Sequence, residues 1–554
     1  MSDDDDEYVD RYLSLPEVTL SAFTETGLAE SSIIVPKQRA YIGRKSVISS
    51  RLANTLCATL GIRGLLDQLN TTLGTSYTLD TPSLSSLLED CITNGYDFGI
   101  AYGRLRQIWH TGNWSTKRAQ VCKWEEEDRE IRRKALVGNR IVIPDLYPRR
   151  VWDLVSNRVV PSLPANIAWM DEKDRAVAWT PINRYEWPAP IPKDANLKLI
   201  RIEMLNLGAE YTWLDILCLR QEGGPGEHMR TEEWKLDVPT IGSVYDGCHF
   251  TNYVLCYLSG LGRPLSLKEG DLDSDRSWFR RAWTLQEIGS WRVIAGDTPD
   301  GPMHAECKDM KYETELLTRF HKQWKSTAEV FEALQSMQKR VSTNQVDKVA
   351  GLAFVMASSS IPAYYESESL ENAWTALVNS MHKRCRGELF FLCPEPGNAG
   401  KKWRPSWEQV MKPLPAYDHR EGLQVNVDRD DPGDEAEDSC KAECIEKGSV
   451  LGLDVVLEGV DRRGKLIVKD EHGIEHGFKI TATHTYPIPE DTAYTLIDSF
   501  SDSLSKEPYG WVVGRSLPGG KFEKVSVLEI SYEEYWRLKD DMPRITEERR
   551  YILI

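Results

Sequence analysis

The sequence predicts a multidomain protein whose centre, roughly Asp171 to Asp300, is a small α/β domain built on a parallel sheet; three observations predict it. After a proline-marked interval (Pro161, Pro164, Pro181, Pro188, Pro190, Pro192), short apolar runs alternate with helical stretches, the pattern of strands joined by crossover helices. One run, Tyr211 to Gln221, is apolar along most of its length, as a strand covered on both faces must be. Finally, 554 residues with 41% hydrophobic and 28% charged side chains exceed what one core organises and suggest about three or four domain-sized units.

Taken in chain order, residues 1–160 read as a mainly helical accessory region. Leu52, Leu56, Leu60, Ile62, Leu65, Leu66 and Leu69 recur at helical spacing, with Gly61 and Gly64 as an interruption, and Ser83 to His110 reads likewise. In residues 161–310, strands are expected at Ala176 to Thr180, Thr212 to Leu219, Tyr253 to Leu258 and Trp291 to Ala295. Helices are expected near Leu197 to Leu207, Lys235 to Asp246 and Trp278 to Ile288. Residues 311–400 read as a helical connector, with Val330, Phe331, Leu334 and Met337 on one stripe. Residues 401–554 read as β-rich, with strands at Ser449 to Val460, Gly464 to Lys469, Gly477 to Ala482, Gly510 to Gly514 and Lys524 to Ile530. The acidic run Asp428 to Asp438 reads as a mobile loop.

Composition excludes several functions. A formal charge of −17 disfavours the basic surfaces that nucleic acid and anionic lipid reward, so no nucleic-acid partner is expected. No apolar run reaches the roughly eighteen residues of a membrane span, and the start MSDDDDEYVD is the reverse of a signal peptide. A cytoplasmic protein is therefore expected. Eleven dispersed cysteines read as reduced thiols. Cys440 and Cys444 form the closest pair but lack a second pair at ligand spacing, so no metal is expected and both thiols read as exposed beside the acidic loop. Gly223 to Gly226 lacks the Lys-Ser/Thr of a phosphate-binding loop and reads as flexible, His228 as a surface histidine.

Two places carry chemistry. Asp215 interrupts an otherwise apolar strand; an unpaired buried carboxylate costs several kcal/mol as an order of magnitude, so it either pairs with an arginine or faces a ligand beyond the strand end. In Ser277 to Ile288, a helix would place Trp283 and Glu287 one turn apart, with Arg280 alongside. The plain alternative is an amphipathic helix with Trp283 in the core and Glu287 in a salt bridge.

The segments TWLDILCLRQ (Thr212 to Gln221), IGSVYDGC (Ile241 to Cys248) and RRAWTLQEI (Arg280 to Ile288) resemble the three successive motifs of fungal heterokaryon-incompatibility (HET) domains. PRRVWDLVSNRVV, VDKVAGLAFV and WRPSW are weaker echoes of the same family. Where the family's first motif reads Ser-Tyr-x-Trp-Gly or Ser-His-Ala-Trp, this chain has Val177-Ala178-Trp179-Thr180-Pro181-Ile182-Asn183, an altered loop. The resemblance implies a TIR-like α/β fold, in which Trp283 to Glu287 is similar to the Trp-x-x-x-Glu of NAD-cleaving members. It makes Glu287 the candidate catalytic carboxylate, able to stabilise an oxocarbenium-like centre as the nicotinamide–ribose bond breaks. Trp179 or Trp283 would stack on a base and Arg281 or Arg280 would meet a phosphate. Thr180, Asn183 and Asp215 complete the expected substrate contacts.

The function implied is non-self recognition and programmed cell death, with other incompatibility proteins as partners and homo-oligomers on activation. NAD would be a substrate and no cofactor is needed. The competing expectation is a non-catalytic module that signals by self-association.

Overall fold

The computed structural model describes residues 48–110, 114–161, 166–168, 175–193, 195–206, 209–246, 254–262, 270–275, 277–287, 292–294, 330–356, 359–414, 426–430, 436–455, 461–490, 492–499, 509–542 and 545–554. The acidic start, Pro164, Cys248, Ile288 and the connector's first residues, to which sequence features were assigned above, lie outside these. The described chain divides into two compact units. The first holds the described residues before position 325 together with Arg340–Phe354 and the described residues of 359–366; the second holds the described residues of 325–339, 355–358 and 367–554.

The first unit opens with helices α1 (Ser50–Ala53), α2 (Cys57–Leu73), α3 (Leu84–Thr93), α4 (Phe98–Trp109) and α5 (Lys117–Ala135). The interruption expected in α2 is real: Gly61 takes φ 65 inside the helix, a conformation that costs other residues about 1 kcal/mol or more. Leu65, Leu66, Leu69, Leu84, Leu87 and Leu88 bury the apolar stripes against Tyr102, Trp109 and Trp114. Helix α4 starts at Asp97, whose side chain accepts from the Ile100 N–H. Next come β1 (Leu136–Val137), β2 (Arg140–Ile141), β3 (Arg150–Asp153), β4 (Arg158–Pro161), β5 (Asn166–Ala168), β6 (Arg175–Ala178), β7 (Ala189–Pro192), α6 (Leu197–Asn206) and β8 (Tyr211–Leu214). The unit continues with α7 (Asp215–Cys218), α8 (Arg230–Asp237), α9 (Ile241–Asp246), β9 (Val254–Cys256) and β10 (Arg292–Ile294).

These strands correct the predicted fold class, because no TIR-like parallel sheet is formed by them. The largest sheet of this unit has the order β4-β3-β8-β5; β3 runs antiparallel to both β4 and β8, and only the β5–β8 pairing is parallel. β6 and β7 make a separate antiparallel pair, and β9 pairs with β10 in parallel as a two-stranded sheet. The reason is visible in β3 and β4. The segment PRRVWDLVSNRVV, quoted above only as a weaker echo of the family, forms a hairpin, and Trp152 and Asp153 take the backbone positions beside Thr212 and Tyr211 that a parallel neighbour would need. The strand expected over Thr212 to Leu219 also stops early. At Asp215 the chain turns into the single helical turn α7.

The second unit contains α10 (Val330–Gln338). The chain then passes through α11 (Val346–Met356), most of which belongs to the first unit, and β11 (Ile361–Pro362), which pairs with β2 there. Helices α12 (Leu370–Ser380), α13 (Lys383–Leu392) and α14 (Trp407–Val410) precede a sheet of β12 (Val427–Arg429), β13 (Asp438–Leu451), β14 (Arg462–Lys469), β15 (Glu475–Ala482), β16 (Tyr494–Asp498), β17 (Tyr509–Leu517), β18 (Lys521–Ile530) and, after α15 (Tyr532–Asp541), β19 (Glu547–Leu553). β13 bonds to β14 near its end and also to β16, which closes the order β13-β14-β15-β18-β17-β16 on itself. Alternate residues fill the inside: Phe522, Lys524, Ser526, Leu528 and Ile530 are buried while their neighbours are not. Tyr535 and Leu538 of α15 join that core.

The acidic run is framed by strands rather than being loop throughout. Asp428 and Arg429 pair with Ser439 and Asp438, and the Arg429 guanidinium meets the Asp438 carboxylate at 2.8 Å. The expectation for Cys440 and Cys444 is corrected as well. Both are buried in β13, because β19 lies across that part of the strand.

Candidate functional site

The three quoted motif segments meet around one buried carboxylate. Asp215 follows β8 directly, which sets it at the carboxyl end of a strand, where its side chain is buried. Tyr245 lies on α9, and its ring meets Trp213 of β8 edge-on at a centroid distance of 6.4 Å. Glu287 follows the 3-10 turn Trp283–Leu285. It is 2% exposed; the Trp278 indole Nε1–H donates to its Oε2 at 2.5 Å and the Tyr245 hydroxyl bonds to it as well.

The expected helix over Trp278 to Ile288 is two short 3-10 turns, Trp278–Arg280 and Trp283–Leu285, separated by Arg281 in an extended conformation. Tertiary hydrogen bonds outcompete the helical ones here. The Val341 N–H donates to the Arg280 carbonyl at 2.6 Å and the Ala282 N–H donates to the Val341 carbonyl at 3.0 Å, which uses groups that an α-helix would need. Trp283 and Glu287 therefore do not share a helical face. The Trp283 indole bonds instead to Asp347, and its ring lies 6.3 Å from that of Tyr364, whose hydroxyl donates to the same carboxylate at 2.8 Å.

Electrostatics follow from this enclosure. Burial raises the Glu287 pKa, opposed first by Arg281, then by the Trp278 and Tyr245 hydrogen bonds and by Arg340. Burial likewise pushes Tyr245 far above the usual phenol value, and the Glu287 and Asp215 charges add to the shift. Arg340 is lowered to about 9 by burial, with Glu287 opposing the change. Its Nη1 donates to the Arg281 carbonyl at 2.5 Å and also contacts the Thr284 hydroxyl.

The predicted ligand loop plays a different part. Trp179 is 52% exposed, whereas the Thr180 hydroxyl accepts from the Ile182 N–H at 3.2 Å and the Asn183 Nδ2 donates to the Trp187 carbonyl at 2.7 Å. Thr180 and Asn183 thus shape their own turn. The buried aromatic of this loop is Trp187, which donates to the Ile216 carbonyl at 3.1 Å and lies under the guanidinium groups of Arg150 and Arg220, 5.2 and 5.0 Å from its ring. The Gly223 to Gly226 segment read as flexible is closed by hydrogen bonds from Gly223 N–H to Glu227 Oε2 and from Glu227 N–H to the Gly224 carbonyl.

Of the predicted site residues, the structure brings together Asp215, Arg281 and Glu287 and leaves Trp179, Thr180, Asn183 and Trp283 in other roles. It adds Tyr245, Trp278 and Arg340. Tyr245 and Trp278 lay inside or beside quoted motifs and are the side chains that can donate to Glu287. Arg340 had no local signal, since it comes 56 positions after Thr284. Among the described residues no group of three His, Cys, Asp or Glu side chains could hold a metal ion, and no helix is long and apolar enough to cross a membrane. No family model matches the chain, and no curated protein and no solved structure is significantly similar to it.

Proposed function

We propose that this chain is a fungal HET-domain protein of non-self recognition and programmed cell death, acting in the cytoplasm through contacts with other incompatibility proteins and with copies of itself. The observation that carries the reading is convergence: the first motif segment supplies Asp215, the second Tyr245 and the third Glu287, and the three groups influence one another electrostatically. Within that reading, signalling by association is the better-supported activity. Glu287 is 2% exposed and accepts from the Trp278 indole, so a substrate reaches it only after its neighbours move.

Cleavage of NAD to nicotinamide is the second reading. A specific observation favours it: coupled, buried titratable groups with raised pKa values are the kind of arrangement that active sites use. Glu287 would then stabilise the developing ribosyl cation. The test incubates purified protein with NAD, dilute and under crowding that forces oligomers, and follows nicotinamide together with particle mass. Release that disappears in Glu287→Gln establishes the enzyme. Oligomers without release establish the association module, and neither result under any condition would remove the proposal.

A further inference from the structure

The two-stranded sheet of β6 and β7 has edges of opposite chemistry. Its register pairs Arg175 with Pro192, Ala176 with Ile191, Val177 with Pro190 and Ala178 with Ala189. In an antiparallel ladder, facing residues alternately exchange two hydrogen bonds or turn both backbone groups away from each other. Proline has no N–H to exchange, so the bonded pairs are Ala176 with Ile191 and Ala178 with Ala189. The backbone groups of Arg175 and Val177 therefore face away from β7, and those of Pro190 and Pro192 face away from β6. The outer edge of β7 offers no N–H at these positions, and Pro188 continues the alternation just before the strand. The outer edge of β6 carries donors and acceptors alike. Among the described residues, β7 is the only strand bonded to β6, and no hydrogen bond outside that pairing reaches the Val177 backbone. Val177 is 69% exposed and Trp179, two residues on, is 52% exposed. The chain just after β6 is tied down, since the Tyr185 N–H donates to the Thr180 carbonyl at 3.0 Å, so the open edge is preformed.

We infer that the open edge of β6 is an interface between two copies of this chain, in which β6 pairs antiparallel with its counterpart about a two-fold axis at Val177. The inference deepens the self-association reading above and rests on it for what the pairing does. A second copy fits this edge for two reasons. An antiparallel strand edge is its own complement under a two-fold, so Val177 and the partner's Val177 exchange both hydrogen bonds and two exposed valines cover one another. The joined sheet then has the order β7-β6-β6-β7 and ends in prolines on either side, which stops growth at two copies where an ordinary strand edge would template a third. A ladder of so few residues buries far less than the roughly 1,200 Å² of a stable complex. The pairing is therefore weak, and dimers form as concentration or crowding rises.

Val177→Cys reads the geometry directly. Bonded partners in an antiparallel ladder have Cα atoms about 5.5 Å apart, within the roughly 4.4–6.8 Å that a disulfide spans. Mild oxidation of the concentrated variant is expected to give a dimer whose cross-link maps by mass spectrometry to position 177 of both chains, whereas Ala178→Cys, on the opposite face of the strand, gives none. Sedimentation velocity over a concentration series measures the pairing itself. Val177→Pro removes an N–H that lies on the open edge and leaves the β6–β7 ladder whole, and it is expected to raise the dimer dissociation constant at least about tenfold. Should that variant fail to fold, Val177→Lys keeps the backbone donor and is expected to weaken the dimer by setting like charges opposite each other. Dimers that persist unchanged in these variants, or oxidation that leaves position 177 unlinked, overturn the β6 pairing and leave self-association standing. A chain that stays monomeric at every concentration overturns both, the edge then being open to a strand of a different protein.

Discussion

Glu287 is the residue at which structure and chemistry are hardest to separate. A buried carboxylate that accepts from an indole and lies within the fields of Arg281 and Arg340 is expensive to remove, because the arginines are left buried without that counter-charge. Glu287→Ala is expected to destabilise the first unit by about 3–5 kcal/mol in denaturant titration, and Trp278→Phe, which removes one donor to the carboxylate, by about 1.5–3 kcal/mol. A smaller loss for Glu287→Ala would mean that the cluster is solvated in solution. Asp347 supplies a pH signature. Its pKa rises from 3.8 to about 6, chiefly through burial, with the Tyr364 and Trp283 hydrogen bonds opposing. Folding therefore takes up a proton between those values. Stability should fall as pH rises from about 4 to 6 and be level above, and Asp347→Asn should flatten that slope. Residue types announced these sites only in part: an acid inside an apolar run predicted a partner for Asp215, but nothing local predicted that Arg340 would be folded in beside Glu287.

Elements show where propensity yields to packing. Helix α4 crosses β4 so closely that a Cβ at Gly103 would come 2.9 Å from Val160 Cγ1 and 3.1 Å from Asp153 Oδ2. Gly103→Ala is thus expected to cost about 1–3 kcal/mol by overpacking, although alanine is the better helix former; unchanged stability would show that the helix can shift away. In the second unit, Lys524 of β18 points inward and donates to the Phe390 carbonyl at 2.5 Å in the last turn of α13, a cation at a helix C-terminus. Burial pulls its pKa from 10.5 down to about 8. Between those values the unfolded chain holds more protons, so the stability of the second unit should climb as pH rises through that window. Lys524→Met removes the effect. The strands of this unit were legible because period-two burial in β18 matches alternation in its sequence. The turns around Trp278 and Trp283 were not, since their apolar spacing suits a helix and only the Val341 pairing diverts the backbone.

For the whole molecule, two compact units predict unfolding that is not two-state. Calorimetry should resolve two transitions, with Glu287→Ala lowering one and Lys524→Met altering the pH dependence of the other; a single transition shifted alike by both would contradict the division. By itself the sequence determined the helical start with its break at Gly61 and the β-rich end, because periodicity and glycine act over a few neighbours. Only the tertiary structure decided the strand directions, the turn at Asp215, the burial of Cys440 and Cys444, and the placing of Arg340 against Arg281 and Thr284. Those outcomes depend on which backbone groups meet across long sequence separations: β3 taking the place beside β8, β19 covering β13, and Val341 claiming the amides and carbonyls of a would-be helix. Local pattern carries no record of that competition.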